Sequence, residues 1–279
     1  MCRGRGQVVK DVKILKLGGS VITHKGGDSV LNHDVVRHIA HDVNAWLRGS
    51  DTRRLVLVAG GGSYGHPLAA RYDINAPHAS KDPLGFLRTI TNMQRLGTHV
   101  ARVLHEYEIP VLPIPPSSLF VTSGGRINES YLMPVFKALD RHLVPFLWGD
   151  AVFDDLHNCR ILSGDQLVTF LAAELGAEAF LFASNVDGIY SSDPSQDPHA
   201  EVIPLVTDDN YAQVQTVLGA SQHTDVTHGM WGKVEEIRAV PLRPVRCVIF
   251  NGLEPGYTYR ALLGEQIGTT LVFTGDNLV

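Results

Sequence analysis

Short, wholly apolar runs that end in glycine constrain this chain more than any other feature. Leu55-Val56-Leu57-Val58 has no polar residue and no helical period, so it reads as a strand buried on both faces. It runs into Ala59-Gly60-Gly61-Gly62-Ser63-Tyr64-Gly65-His66-Pro67, where Pro67 marks a first helical turn. Val12 to Leu17 ends in Gly18-Gly19-Ser20, and Val144 to Leu147 ends in Trp148-Gly149-Asp150. Ala179 to Ala183 ends in Ser184-Asn185-Val186-Asp187-Gly188. Helical spacing fills the intervals: Asn32 to Trp46 with Asn32 as N-cap, Phe86 to Tyr107, Leu132 to Leu139, and Asp165 to Leu175 stopped by Gly176. Asp208 to Leu218, Met230 to Ala239 and Tyr257 to Leu263 are helical too, and Val111 to Ile114, Val245 to Phe250 and Thr270 to Phe273 are strands. Such alternation means an α/β protein with a mostly parallel open sheet and helices on both faces.

Two local features break the alternation. Val21 to Lys25 starts a hairpin closed by Gly26-Gly27-Asp28, and Ala151 to Phe153 pairs with Arg160 to Leu162 around Asp154-Asp155-Leu156-His157-Asn158. Tyr72 to Pro83 and Ser191 to Pro198 are loops. No linker divides the chain. The best seam runs from Asp154 to Ser163, so we expect a frayed tail over 1–10, a first lobe over 11–158 and a second over 159–279, on one continuous sheet.

With 44% hydrophobic residues among 279, a sizeable core is available. A net charge of −5 argues against a general nucleic-acid or membrane-surface binder. Cys2, Cys159 and Cys247 are far apart and odd in number, which suits reduced thiols. No apolar run approaches the ~18 residues of a membrane span. The basic N-terminus lacks the apolar stretch of a secretory signal. The expectation is a cytoplasmic protein without nucleic-acid or membrane partners.

Ligands of open α/β sheets bind at the carboxyl ends of the strands, where the glycine turns fall. A turn such as Gly60-Gly61-Gly62 either lets backbone N–H groups approach an anion with His66 beside it, or is a flexible turn next to an ordinary loop histidine. Neither GxxxxGK[ST] nor the dinucleotide GxGxxG pattern with its acid is present. Lys16, Lys25 and Lys233 each stand beside a glycine turn. They are either surface charges or the fixed cations that phosphoryl transfer requires. Asp150, Asp165 and Asp187 either hold lysines or reach Mg²⁺ through water, or else cap helices and turns, with Asp165 as an N-cap. His33, His38 and His41 share a helix, but no cysteine or acid completes a zinc set. No nucleophile elbow or Ser–His–Asp arrangement stands out.

Taken in order, these residues resemble the amino-acid kinase superfamily: Lys16-Leu17-Gly18-Gly19-Ser20, GGGSYGH, Ser163-Gly164-Asp165, Asp187-Gly188-Ile189-Tyr190, then Asp225-Val226-Thr227 and Gly229-Met230 with Lys233. The resemblance spans about Lys13 to Phe273, and the closing histidine of GGGSYGH is similar to that of the isopentenyl phosphate kinases. It implies an αβα sandwich, ATP with Mg²⁺, a homodimer, and transfer of phosphate onto isopentenyl phosphate in isoprenoid precursor synthesis. By the same resemblance Lys16, Gly18, Gly19, Ser20 and Gly62 contact ATP phosphates, and Lys25 stabilises the transition state. Gly61, His66 and Gly164 hold the acceptor phosphate, Asp187, Gly229 and Lys233 line the nucleotide site, and Asp165 organises the lysines. The first lobe then takes the acceptor and the second the nucleotide. One departure is His228, where the family carries a first glycine; it puts a side chain into a turn near the nucleotide.

The chemistry agrees with that resemblance. A phosphomonoester is already ionised near neutral pH and needs no general base, and no base is evident among these residues. Phe86, Ile90 and Met93 either line a pocket for a short prenyl chain or are plain core. Two alternatives stay open. One is a kinase of the same fold acting on fosfomycin or another small phosphate or phosphonate. The other is a non-catalytic nucleotide-binding relative.

Overall fold

The computed structural model describes residues 11–24, 29–76, 83–194, 196–220, 225–239 and 246–274, with the backbone alone for 219–220 and 225–229. The strands are β1 (Val12–Leu17), β2 (Arg54–Ala59), β3 (Val111–Pro113), β4 (Phe120–Ser123), β5 (Arg126–Ser130), β6 (Val144–Trp148), β7 (Asp150–Asp154), β8 (Asn158–Leu162), β9 (Ala179–Ser184), β10 (Leu205–Thr207), β11 (Arg246–Asn251) and β12 (Thr269–Val272). The helices are α1 (Gly19–Ile22), α2 (His33–Leu47), α3 (Gly62–Arg71), α4 (Pro83–Glu106), α5 (Met133–Leu139), α6 (Gly164–Leu175), α7 (Tyr211–Ala220), α8 (Asp225–Arg238) and α9 (Tyr257–Leu263).

Eight strands form the main sheet in the order β10-β12-β11-β9-β1-β2-β6-β3. All described pairs in it are parallel except β11 with β12. The β pleat sends alternate side chains of β1 to opposite faces. Ile14 joins Val56, Val58, Phe180 and Phe182 in a core that α6 and α8 close with Leu167, Leu171, Val234 and Ile237. Leu15 and Leu17 join Leu55 and Leu57 on the other face, under Val36 and Ile39 of α2 and Leu96 and Val100 of α4. The result is the expected three-layer αβα sandwich. Each of these buried side chains contributes about 1.5–3 kcal/mol.

The register brings the strand ends together. Leu17 lies opposite Ala59 and Ala183, and Ala59 lies opposite Trp148. The chain runs from β1 to β2 on one side and returns to β9 on the other, so β1 marks the switch point where such sheets place their ligands.

Several expectations are corrected. The hairpin β7–β8 is not part of one continuous sheet; with β4 and β5 it makes a separate sheet of order β5-β4-β7-β8. Strands β4, β5 and β10 go beyond the sequence reading: β4 and β10 are only four and three residues long, and Arg126–Ser130 is almost entirely polar and exposed and carries no apolar alternation. Helix α3 begins at Gly62, so Pro67 lies within the helix rather than in its first turn. The N-cap of α6 is Ser163, whose Oγ accepts the Gln166 N–H at 3.1 Å, and not Asp165. Val21 and Ile22 are helical, and the expected hairpin is limited to a Thr23–Leu31 bridge. Its Gly26-Gly27-Asp28 closure lies outside the described residues.

Candidate active site

Lys16 is the next-to-last residue of β1 and only 7% exposed. Its Nζ donates to Asp165 Oδ1 at 2.6 Å, and Lys233 Nζ donates to the same oxygen at 2.9 Å. One strand and two helices, α6 and α8, therefore converge on one carboxylate. The face of Phe182 lies 5.7 Å from the Lys16 Nζ and 4.9 Å from that of Lys233, adding a weaker cation attraction. Burial lowers the Lys16 pKa to about 8; Asp165 opposes that fall and Lys233 adds to it. Burial alone would raise the Asp165 pKa, but the two ammonium groups reverse this and hold it well below the usual carboxylate range. With all three ionised the group carries one net positive charge, set among strand ends.

The glycines meet one another before they meet any ligand. A Cβ on Gly19 would stand 2.3 Å from the Gly62 nitrogen, and one on Gly60 would stand 2.5 Å from the Gly19 nitrogen. Gly62 has φ +47°, and a Cβ there would fall 2.2 Å from Thr23 Oγ1. The two turns thus interlock backbone to backbone, which only glycine permits. Thr23 fastens them: its Oγ1 donates to the Gly19 carbonyl at 2.7 Å and accepts the Ser63 N–H at 3.0 Å. Buried Asn92 of α4 donates to the Tyr64 carbonyl at 2.7 Å and to Ser29 Oγ at 3.0 Å. Sequence reasoning missed both residues, since neither lies in a pattern that marks it.

Gly18 does not offer its N–H to a phosphate, because that group is committed to the Ala183 carbonyl at 2.9 Å. The N–H groups of Gly19, Ser20, Gly61, Gly62, Gly164 and Asp165 have no acceptor among the described residues. They cluster at the starts of α1, α3 and α6, beside the two lysines. Free N–H groups at helix starts and fixed cations together suit a polyphosphate.

His66 lies in the second turn of α3 and is exposed, with its ring out of the core. Lys25 lies outside the described residues. Gly229 and His228 lie within α8, where a turn was expected; the side chain of His228 is outside the description. Asp187 is exposed at the end of β9 and accepts from Tyr190 Oη at 2.8 Å and Asn251 Nδ2 at 2.9 Å. Asp150 does not hold the lysines. It is buried and accepts the N–H groups of Ser117 at 3.2 Å and Ala151 at 2.9 Å, and burial pushes its pKa up to about 7. His38 points to the Gly252 carbonyl at 3.1 Å, and no group of three metal-ligating side chains occurs among the described residues. Of the proposed tail-binding residues, Phe86 and Ile90 are half-buried against a small cluster of Ile74, Ala151 and Cys159, while Met93 belongs to the main core with its Sδ beside Gly61 and Gly65.

Comparison with known proteins fits this geometry. Residues 11–251 match the amino acid kinase family. An isopentenyl phosphate kinase of Methanothermobacter thermautotrophicus is 32% identical, over 93% of this chain and 98% of its own. One of Methanocaldococcus jannaschii is 33% identical over 94% and 98%. A crystal structure of isopentenyl phosphate kinase superposes with a TM-score of 0.80 at 28% identity, covering 93% of this chain and 99% of that one. The chain therefore belongs to the amino acid kinase family, on its isopentenyl phosphate kinase branch.

Proposed function

We infer that this protein is an isopentenyl phosphate kinase, a phosphotransferase that makes isopentenyl diphosphate. The observation that carries this is the pair of ammonium groups, Lys16 buried and Lys233 half-buried, on one carboxylate beside free backbone N–H groups, with no free carboxylate among the described residues of the group. When bound, ATP supplies the phosphoryl group to be transferred. Lys16 and Lys233 neutralise charge on the moving group, and Asp165 keeps the two cations from separating. Gly19, Ser20 and Gly62 donate to the nucleotide's phosphates, and Gly18 acts there by its small size. Asp187 and Gly229 line the nucleotide side. Gly61, Gly164 and His66 take the acceptor phosphate, with Lys25 as a further cation. A phosphate acceptor supplies its own nucleophilic oxygen, so no residue has to remove a proton.

Mg²⁺ fits this site only as an ion carried by the nucleotide. The described residues offer no cluster of carboxylates, and Asp165 already serves two lysines. Residues 11–158 form the acceptor lobe and 159–279 the nucleotide lobe. Half-buried Phe86 and Ile90 suit a short prenyl chain. No described helix is long and apolar enough to cross a membrane. A cytoplasmic homodimer serving isoprenoid precursor synthesis, as in the mevalonate pathway, completes the proposal.

ADP release with a panel of acceptors tests it. Isopentenyl phosphate should turn over fastest, dimethylallyl phosphate more slowly, and fosfomycin least. Turnover of fosfomycin with none of either prenyl phosphate would replace this assignment by that of a phosphonate kinase. No ADP with any acceptor would favour a non-catalytic relative.

A further inference from the structure

The small sheet ends in a hairpin tip that the proposed chemistry does not use. Between β4 and β5 the chain turns at Gly124 and Gly125, with φ of 61° and 82°. Buried Asp154 grips this turn from inside. Its Oδ1 accepts the N–H groups of Gly124 at 3.2 Å, Leu156 at 3.0 Å and His157 at 2.9 Å, and its Oδ2 accepts Gly125 N–H at 2.7 Å and Thr122 Oγ1 at 2.8 Å. A carboxylate with that many donors makes a rigid turn.

On its other side the tip touches two helices. The Gly125 carbonyl accepts from Gln166 Nε2 at 3.1 Å, and Arg126 pairs with Glu236. Gln166 follows Asp165 in α6, and Glu236 lies one turn beyond Lys233 in α8. Successive residues of one turn therefore hold the two helices that bring Asp165 and Lys233 together. Gln166 and Glu236 are held there at a cost. Among the described residues Gln166 Oε1 and Glu236 Oε2 are both buried without a hydrogen-bond partner, and stability alone disfavours that.

We propose that the β4–β5 tip is a brace for phosphoryl transfer, with Gln166, Arg126 and Glu236 as positioning residues that fix the spacing of α6 and α8 and so the grip of Lys16 and Lys233 on Asp165. The brace rests on the kinase assignment for its purpose, but not for its geometry. Removing it leaves the backbone N–H donors at the starts of α1 and α3 in place and lets the two cations drift. Because a misplacement of about 1 Å costs up to about a hundredfold in rate, the loss should fall on kcat and not on KM. Arg126 is exposed, so its ion pair adds little to folding stability.

The test compares the parent with Arg126→Ala, Glu236→Ala, the double variant and the charge exchange Arg126→Glu with Glu236→Arg. Gln166→Met removes the other tie at similar volume. Two readouts are taken on the full chain: turnover of isopentenyl phosphate, and the pH midpoint of Lys16 acetylation without substrate, read by mass spectrometry. We expect each alanine variant to lose roughly tenfold in kcat with KM nearly unchanged. The double variant should be no worse than either single one, the exchange should recover most of the loss, and the Lys16 midpoint should move from its parental value. Melting temperatures should stay within about 2 °C of the parent. An Arg126→Ala protein with parental kcat and parental midpoint overturns the brace, as do losses that multiply in the double variant or that follow melting temperature. If the parent phosphorylates no acceptor, the kinase assignment falls and the acetylation midpoint alone decides the brace: a displaced midpoint supports it and an unmoved one overturns it.

Discussion

Replacing Asp165 by Asn keeps the shape of the lysine-binding group and removes only its charge. The Lys16 ammonium lies 2.6 Å from the carboxylate, and its pKa of about 8 already reflects that support against burial. An opposite charge about 4 Å away in an effective dielectric of about 20 is worth about 4 kcal/mol. The Asp165 side chain is 22% exposed, so solvent trims this. Half of it, about 2 kcal/mol, equals about 1.5 pKa units and takes the Lys16 midpoint below neutrality. The assay is kcat/KM for ATP between about pH 5.5 and 9.5, which reports the ionisations of the free enzyme. The parent should lose activity as pH rises through about 8, and the variant should do so below about 7. The deficit of the variant is then a little under about tenfold at pH 7.5 and much smaller at pH 6. In kcat the parental limb should lie further to alkaline, because a bound polyphosphate favours the ammonium. The sign also bears on folding. An unfolded Lys16 keeps its proton to 10.5 and the folded one releases it near 8, so stability should rise with pH across that window. A variant deficit that is the same at every pH, or an alkaline limb that does not move, would refute the reasoning.

Gly62→Ala should cost about 2–4 kcal/mol, since a Cβ meets both Thr23 Oγ1 and the Gly19 carbonyl at a positive φ, whereas Gly61→Ala, whose Cβ finds only ordinary contacts, should melt like the parent. Thermal unfolding of the pair checks this, and equal melting temperatures would remove the interlocking of the turns as a cause. His66→Ala should lower kcat/KM for isopentenyl phosphate sharply and spare the KM for ATP; parental steady-state kinetics would take the acceptor role away from His66. Asp150→Asn should stabilise the protein at pH 8 by a few kcal/mol, roughly, and much less at pH 5. The folded pKa of about 7 lies above the unfolded 3.8, so the parent loses stability as pH rises through that interval. Melting curves at the two pH values decide it.

Much of the main sheet was legible because its strands are fully apolar and its glycines punctuate them. Val12–Leu17 and Tyr257–Leu263 agree with the sequence reading residue for residue, and Asn32 caps α2 as expected. Strands too short or too polar to show an apolar period were not legible. Strand β5 has exposed Arg126, Asn128, Glu129 and Ser130, and pairs with β4 across a turn that Asp154 holds. The capping of α6 was misassigned because Ser163 and Asp165 are both good caps by residue type. Only the ion pairs show that Asp165 faces the lysines instead. Thr23 and Asn92 left no trace at all, since a single buried polar side chain that ties two backbones has no periodicity.

The glycine turns raise a subtler point about what a signature means. Read alone, three glycines suggest a loop opened for a ligand. In the folded chain Gly19, Gly60 and Gly62 are required because two turns pass through each other's Cβ positions. They would be required whatever the site bound. Glycine in these turns therefore reports the fold. The chemistry is set by what the interlock presents. On the proposed reading Lys16 and Lys233 would supply charge where a phosphoryl group moves; Asp165 limits that charge to one net unit, and exposed His66 stands one turn beyond the free N–H groups of α3. Among the described residues of this group, a hydroxyl acceptor would find cations but no carboxylate free to take its proton. A phosphate acceptor needs only the cations and the donors, so on the proposed reading the described residues suit a substrate that brings its own nucleophilic oxygen.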